Sequence, residues 1–304
     1  MLGILPAMIR LGITIYLLLL VAACRFAPPG VTNILIKGSD TEVNLALSLA
    51  ESYMEHDPMV SIAVTGGGSG MGIAALINGK TTIANSSRAM KPQEVELANE
   101  RGIHPVPIVF AVDALALVVH PELEVDALSV NEIGQIYRGE ITNWQAVGGP
   151  DLEITIYGRQ SNSGTYVFFR DSVLRADYAP ALMQMNGTAQ IVEALRTDIS
   201  GIGYVGLGYV LDKQRQPIEG IRIMDIAVEG SDEALSPVEV SNIRNGAYPL
   251  VRPLFQFTDG PPEGELLEFI QFCLSDRGQE LVEKSGYYPL SPRFERYNKQ
   301  WLHE

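Results

Sequence analysis

Eight consecutive residues, Gly158-Arg159-Gln160-Ser161-Asn162-Ser163-Gly164-Thr165, gather the groups best able to hold a small anion. The alternation in Leu152-Glu153-Ile154-Thr155-Ile156-Tyr157 predicts a short strand before them. Tyr166 to Leu174 predicts a helix after them, with its apolar face inward. A strand, a Gly/Ser loop and a helix in that order put unpaired amides and the helix dipole at the mouth of the loop, where an anion is favoured. Ser163 and Thr165 add hydroxyl donors, and Gly164 allows close approach of the backbone. Arg159 offers a planar fork of donors that suits a tetrahedral oxyanion. The same residues have a plainer use, with Ser163 as a helix N-cap and Arg159 at the surface.

Similar units recur upstream. A strand from Asn33 to Lys37 is followed by Gly38-Ser39-Asp40-Thr41 and a helical pattern from Val43 to Tyr53. Asp40 or Thr41 could serve there as an N-cap. The strand from Pro58 to Thr65 runs into Gly66-Gly67-Gly68-Ser69-Gly70-Met71-Gly72 and an apolar helix start at Ile73. Five glycines in that heptapeptide cost chain entropy unless the backbone needs positive φ or must approach a ligand. The loop is no Walker A motif, since Ala74 stands where glycine is needed, and no G-x-S-x-G elbow, since Met71 does. Thr82-Ile83-Ala84 is a third strand, followed by Asn85-Ser86-Ser87-Arg88 and a helix opened by Pro92.

The remaining pattern supplies the frame. Pro105 to His120 reads as one long strand leaving a first domain, and Pro249 to Phe257 as the strand that returns. Between them come a helix from Ser129 to Tyr137, a turn at Ile141-Thr142-Asn143-Trp144, a helix from Ala189 to Arg196 and a Gly-spaced strand from Ile199 to Gly206. A final helical region, Glu263 to Lys284, packs back on the first domain. The expectation is a two-lobed, hinged α/β protein. In open α/β sheets ligands sit at the C-terminal ends of strands, which is where the Ser/Gly loops fall.

Composition narrows the function. The chain has 304 residues, 46% hydrophobic and 19% charged, which suits a globular α/β protein. A formal charge of −14 leaves no broad basic face and argues against nucleic acid as a partner. Local amides and an arginine can still hold an anion in a cleft of an acidic protein. The four histidines are scattered, so neither a metal site nor a cofactor is expected, and no triad signature points to an enzyme. Leu11 to Ala23 is an apolar run after Arg10, short for a membrane span of ~20 residues but suited to a signal peptide. It ends Leu20-Val21-Ala22-Ala23-Cys24, which resembles a bacterial lipobox with Cys24 as the lipidated residue. The alternative is an uncleaved membrane anchor. Cys273, in an apolar helical run, is expected to be a buried thiol.

Taken in order, Gly38-Ser39-Asp40-Thr41, Gly67-Gly68-Ser69-Gly70, Ser86-Ser87-Arg88 and Arg159-x-x-x-Ser163-Gly164-Thr165, after a lipobox, resemble the phosphate-binding (PstS-like) proteins of bacterial phosphate ABC transporters. Ile141-Thr142-Asn143-Trp144 resembles that family's segment between the two halves of its site. The resemblance implies a type II periplasmic-binding-protein fold closing on one dehydrated phosphate. It implies a signal peptide at 1–23, a tether at 24–32, one lobe from 33–113 with 250–304, and a second from 114–249. It also implies ligand-binding roles for Asp40, Thr41, Ser69, Gly70, Ser87, Arg159, Ser163, Gly164 and Thr165. The implied setting is a monomeric, membrane-anchored lipoprotein of the periplasm or cell surface, delivering inorganic phosphate to an ABC permease. Some members place aspartate where Ser87 stands, and here Asp40 is the candidate to supply the acceptor instead. Arg88 fits either a second anion contact or, preferably, a salt bridge on its loop. One carboxylate facing the ligand accepts a hydrogen bond from protonated phosphate and repels sulfate. Another oxyanion binder, a phosphate sensor and a secreted hydrolase are the competing readings.

Overall fold

Ile34 and Ile36, two residues apart, bury one face of β1 (Thr32–Gly38). A 3₁₀ turn (Asp40–Glu42) leads into α1 (Val43–His56), whose Leu45, Leu49 and Tyr53 are buried. The unit repeats as β2 (Val60–Thr65) with α2 (Ser69–Ile77), and as β3 (Ile83–Ser86) with α3 (Pro92–Glu100). β4 (Pro105–Val119) is one strand of 15 residues, buried along almost its whole length. These elements come from a computed structural model that describes residues 31–302 apart from 213, 229, 231 and 232. The proposed signal peptide, Cys24 and most of the tether lie outside the described residues.

Beyond β4 come β5 (Ala127–Ser129) and α4 (Val130–Arg138), where Ser129 and Glu132 form a reciprocal cap. β6 (Thr155–Arg159) precedes α5 (Gly164–Phe169), which widens into a π turn (Arg170–Leu174). Next are β7 (Met183–Met185), α6 (Thr188–Leu195), β8 (Gly201–Gly206), β9 (Arg222–Ala227), β10 (Ala234–Leu235) and α7 (Val240–Arg244). The chain returns through β11 (Val251–Asp259) and closes with α8 (Gly264–Leu274), α9 (Asp276–Lys284) and α10 (Pro292–Asn298).

The strand order is β2-β1-β3-β11-β4-β8-β6-β7, with β9 also paired to β4. β1 runs parallel to β2 and β3, and β6 runs parallel to β7 and β8. β4 is antiparallel to its neighbours: residues up to Ala114 pair with β11, and Leu115 to Val119 pair with β8. β4 and β11 are thus the strands by which the chain passes between the two halves of the sheet. Each half has its own apolar core, one around Ile34, Leu49 and Phe269, the other around Leu117, Trp144 and Ile202. Among the described residues, no helix is long and apolar enough to cross a membrane. Cys273 is buried and free, as expected.

Several boundaries differ from the sequence expectation. The strand before the anion loop begins at Thr155, because Leu152 and Ile154 bond to the turn at Trp144 and Thr142. It then extends through Arg159, so the arginine sits at a strand end. α2 begins at Ser69 and not Ile73, because Gly68 takes φ of +111° as the residue before the helix. The last helical region is two helices, interrupted at Ser275, whose hydroxyl caps the second by accepting from the Gly278 amide. Short strands β5, β7, β9 and β10 carried too little periodicity to be read.

Candidate functional site

The loops after β1, β2, β3 and β6 meet where the two halves of the sheet face each other. Thr41 and Thr165, one from each half, have hydroxyl oxygens 2.8 Å apart. Ser69 Oγ accepts the Ser87 amide at 3.1 Å and lies 3.3 Å from Ser87 Oγ. Gly164 stands directly against both serines, and a Cβ there would fall on Ser69 Oγ and Ser87 Oγ. Glycine is therefore required by close approach, not by its φ. Ser163 has the capping role: its hydroxyl accepts from the Thr165 amide at 3.2 Å. Thr41, Ser69, Ser87, Ser163, Gly164 and Thr165 are all buried, so the sequence-selected residues form one cradle of small polar groups.

The charged groups are shared between halves. Arg159 is almost wholly buried, and its Nη1 donates to Asp40 Oδ2 at 3.1 Å and to Thr188 Oγ1 at 2.8 Å. Its Nη2 donates to the Asn186 carbonyl at 2.9 Å, and its buried Nε has no hydrogen-bond partner. Burial pushes the Arg159 guanidinium down from its ordinary value, and the Asp40 carboxylate opposes that shift. Asp40 does not cap its own helix. Its Oδ2 accepts the Thr188 amide at 2.7 Å, at the first residue of α6 on the other half.

Further bonds hold the loops together. The Gly70 amide donates to the Asn162 carbonyl at 2.9 Å, and Asn162 Nδ2 donates to the Gly67 carbonyl at 3.1 Å. Tyr209 OH donates to the Asp40 carbonyl at 2.6 Å, and Tyr287 OH donates to the Thr41 carbonyl. The turn that carries Asp40 and Thr41 is thereby gripped from both sides. Arg88 points away from the cradle into a two-bond ion pair with Glu94, both bonds at 2.7 Å. The salt-bridge reading of Arg88 fits this placement.

Asp113 and Arg252 were not singled out in the sequence. They face each other in register on β4 and β11, and Arg252 Nη2 donates to Thr165 Oγ1 at 3.1 Å. A signal was available, since each is a lone charge within an apolar strand, Phe110 to Val119 and Leu250 to Phe255. Thr188, Asn186 and Asn162 carried no comparable signal.

Chemically the cradle is rich in donors, has a cation at one wall, and has one carboxylate that solvent still reaches, its side chain 22% exposed. It suits an anion carrying more than one oxygen, at least one of them protonated.

Known proteins resemble this chain over most of its length. A family model, described as the PBP superfamily domain, matches residues 27–277. The phosphate-binding protein PstS of Pseudomonas aeruginosa is 29% identical, covering 85% of this chain and 83% of its own. Protein SphX of Synechocystis is 30% identical, covering 93% of this chain and 84% of its own. Among solved structures, a candidate phosphate ABC transporter substrate-binding protein with bound phosphate, from Clostridium perfringens, superposes with a TM-score of 0.75. It is 26% identical and covers 86% of this chain and 100% of its own.

Proposed function

The chain belongs to the PBP superfamily and has the type II periplasmic-binding-protein fold, and from that premise we propose that it captures inorganic phosphate between its two lobes and delivers it to an ABC permease. The single observation that carries this reading is the cradle itself: small hydroxyls from both halves converge opposite a buried arginine and a carboxylate. In this reading Ser69, Ser87, Ser163 and Thr165 line the oxyanion with donors, Thr41 lines it and orients the Thr165 hydroxyl by donating to it, and the amides near Gly164 add further donors. Gly70 holds its loop against the cradle through Asn162. Arg159 supplies the compensating charge. Asp40 uses Oδ2 for Arg159 and Thr188 and keeps Oδ1 to accept the proton of a phosphate oxygen. Fully ionised sulfate offers no such proton and meets a like charge.

The two lobes, 33–113 with 250–304 and 114–249, pivot on β4 and β11. Outside the cytoplasm the protein is a monomer held at a membrane by lipid on Cys24. It binds without catalysing, its cradle serines bonding to amides and to each other. Titration calorimetry with phosphate, sulfate and molybdate tests the reading. Tight one-to-one binding of phosphate with weak sulfate binding supports it, and a preference for sulfate or molybdate overturns it.

A further inference from the structure

Directly behind the cradle lies a charge pair to which the phosphate reading gives no role. Asp113 and Arg252 are directly opposed across β4 and β11, the strands that pass between lobes, and both are buried. Arg252 Nε and Nη2 donate to Asp113 Oδ2 at 3.0 and 2.8 Å. The same Nη2 reaches Thr165 Oγ1 at 3.1 Å, and the guanidinium lies over the Phe168 ring at 5.3 Å. Asp113 Oδ1 and Arg252 Nη1 are buried without hydrogen-bond partners. Glu42, fully buried in the turn after Thr41, adds a second carboxyl to the cluster. Removing two ions from water costs several kcal/mol per ion, and apolar residues of similar volume are often as stable. Stability alone is a poor reason for this pair, and its third bond, to the cradle, gives a better one.

We propose that Arg252 is a positioning residue for the anion, acting through Thr165, and that Asp113 sets how much of the Arg252 charge the anion feels. This rests on the phosphate reading. Thr165 Oγ1 has two lone pairs and one proton. Arg252 fills one lone pair, and Thr41, when it donates across the 2.8 Å contact, fills the other. The only valence then left on Thr165 is its proton, which points into the cradle. Without Arg252 a lone pair is free to face the anion instead. Behind that proton the Arg252 charge adds to the Arg159 charge, and the two guanidinium groups are close enough for Arg252 to lower the proton affinity of Arg159. The Asp113 carboxylate partly cancels the Arg252 charge.

The test is phosphate binding by calorimetry in four proteins: the parent, Arg252→Met, Glu42→Gln, and Glu42→Gln with Asp113→Asn. Glutamine at 42 prevents the second carboxyl from ionising once the Asp113 charge is gone. Asparagine at 113 keeps an oxygen for Arg252. Arg252→Met is expected to weaken phosphate binding roughly tenfold or more. Asp113→Asn, compared with Glu42→Gln alone, is expected to tighten it roughly threefold to tenfold by removing a nearby negative charge. A merely structural pair requires both changes to weaken binding together. Unchanged binding in Arg252→Met, or unchanged or weaker binding on Asp113→Asn, overturns the proposal. If Arg252→Met does not fold, the sign of the Asp113→Asn change decides. Failure of the parent to bind phosphate would instead refute the phosphate reading.

Discussion

Asp40 caps a helix that is not its own: its Oδ2 accepts the amide of Thr188 at 2.7 Å, at the head of α6 in the other half of the molecule. The same oxygen takes Arg159 Nη1 at 3.1 Å. One carboxylate therefore ties the first loop to both the second-lobe arginine and a second-lobe helix. Separating the lobes breaks both bonds at once, which makes Asp40 a sensor of closure as well as a candidate proton acceptor.

Asp40→Asn separates these roles. Asparagine retains an oxygen for the Thr188 amide, so the helix contact survives. It no longer balances Arg159 and cannot accept as a carboxylate does. Phosphate binding is expected to weaken and sulfate binding to improve, both read by calorimetry at one pH. Equal phosphate affinity with no gain for sulfate would leave Asp40 a structural link only.

Arg159→Ala is expected to weaken phosphate binding by roughly one to two powers of ten, the range for a charge-assisted hydrogen bond of ~1.5–3 kcal/mol. Arg159→Lys should recover part, since an ammonium cannot reproduce the fork that reaches Asp40, Thr188 and Asn186 together. Phosphate affinity equal to the parent's in Arg159→Ala would place the arginine outside the site.

Much of this site was legible in the sequence because local chemistry wrote it. Ser163, Gly164 and Thr165 form a cap and an amide cluster within one turn, and their role needs only neighbouring residues. Pro105 to His120 is legible as a strand because the stretch is rich in Val, Ile and Phe and carries prolines at 105 and 107 that disfavour a helix. Asp113 and Arg252 were not, because they lie 139 residues apart and only the antiparallel register of β4 and β11 joins them. For Asp40 the sequence offers a local cap and, through the family resemblance, an acceptor facing the ligand, but neither reading reaches the backbone amide 148 residues away that its oxygen accepts.

Gly164→Ala tests the close packing of the cradle. Alanine is compatible with the first turn of α5, but its Cβ would strike Ser69 Oγ and Ser87 Oγ from the other lobe. The cost should fall on closure: phosphate affinity down about tenfold or more, from the ~1–3 kcal/mol typical of overpacking. Circular-dichroism melting of the ligand-free protein should change little. Parental affinity would show that the lobes do not approach this closely around the ligand.

Glu42 supplies a pH dependence. Its side chain is fully buried, and burial raises its pKa well above the ordinary carboxyl value. Asp113 adds to that rise, while Ser39 and Arg252 oppose it. A group raised on folding contributes its full stability below the unfolded carboxyl range and loses it as pH climbs toward the folded value. Glu42→Gln removes that loss, so its stability relative to the parent should grow from pH 5 to pH 8. Urea unfolding midpoints across that range check this, and parallel pH profiles for the two proteins would refute it.

Capture of phosphate by closure of two lobes is tested most directly by solution X-ray scattering of the protein as phosphate is added. The radius of gyration is expected to fall and to saturate at one phosphate per chain, because Thr41 with Thr165 and Asp40 with Arg159 meet only when the lobes are together. The same concentration of sulfate should leave the open form dominant. An unchanged radius at saturating phosphate would contradict the account.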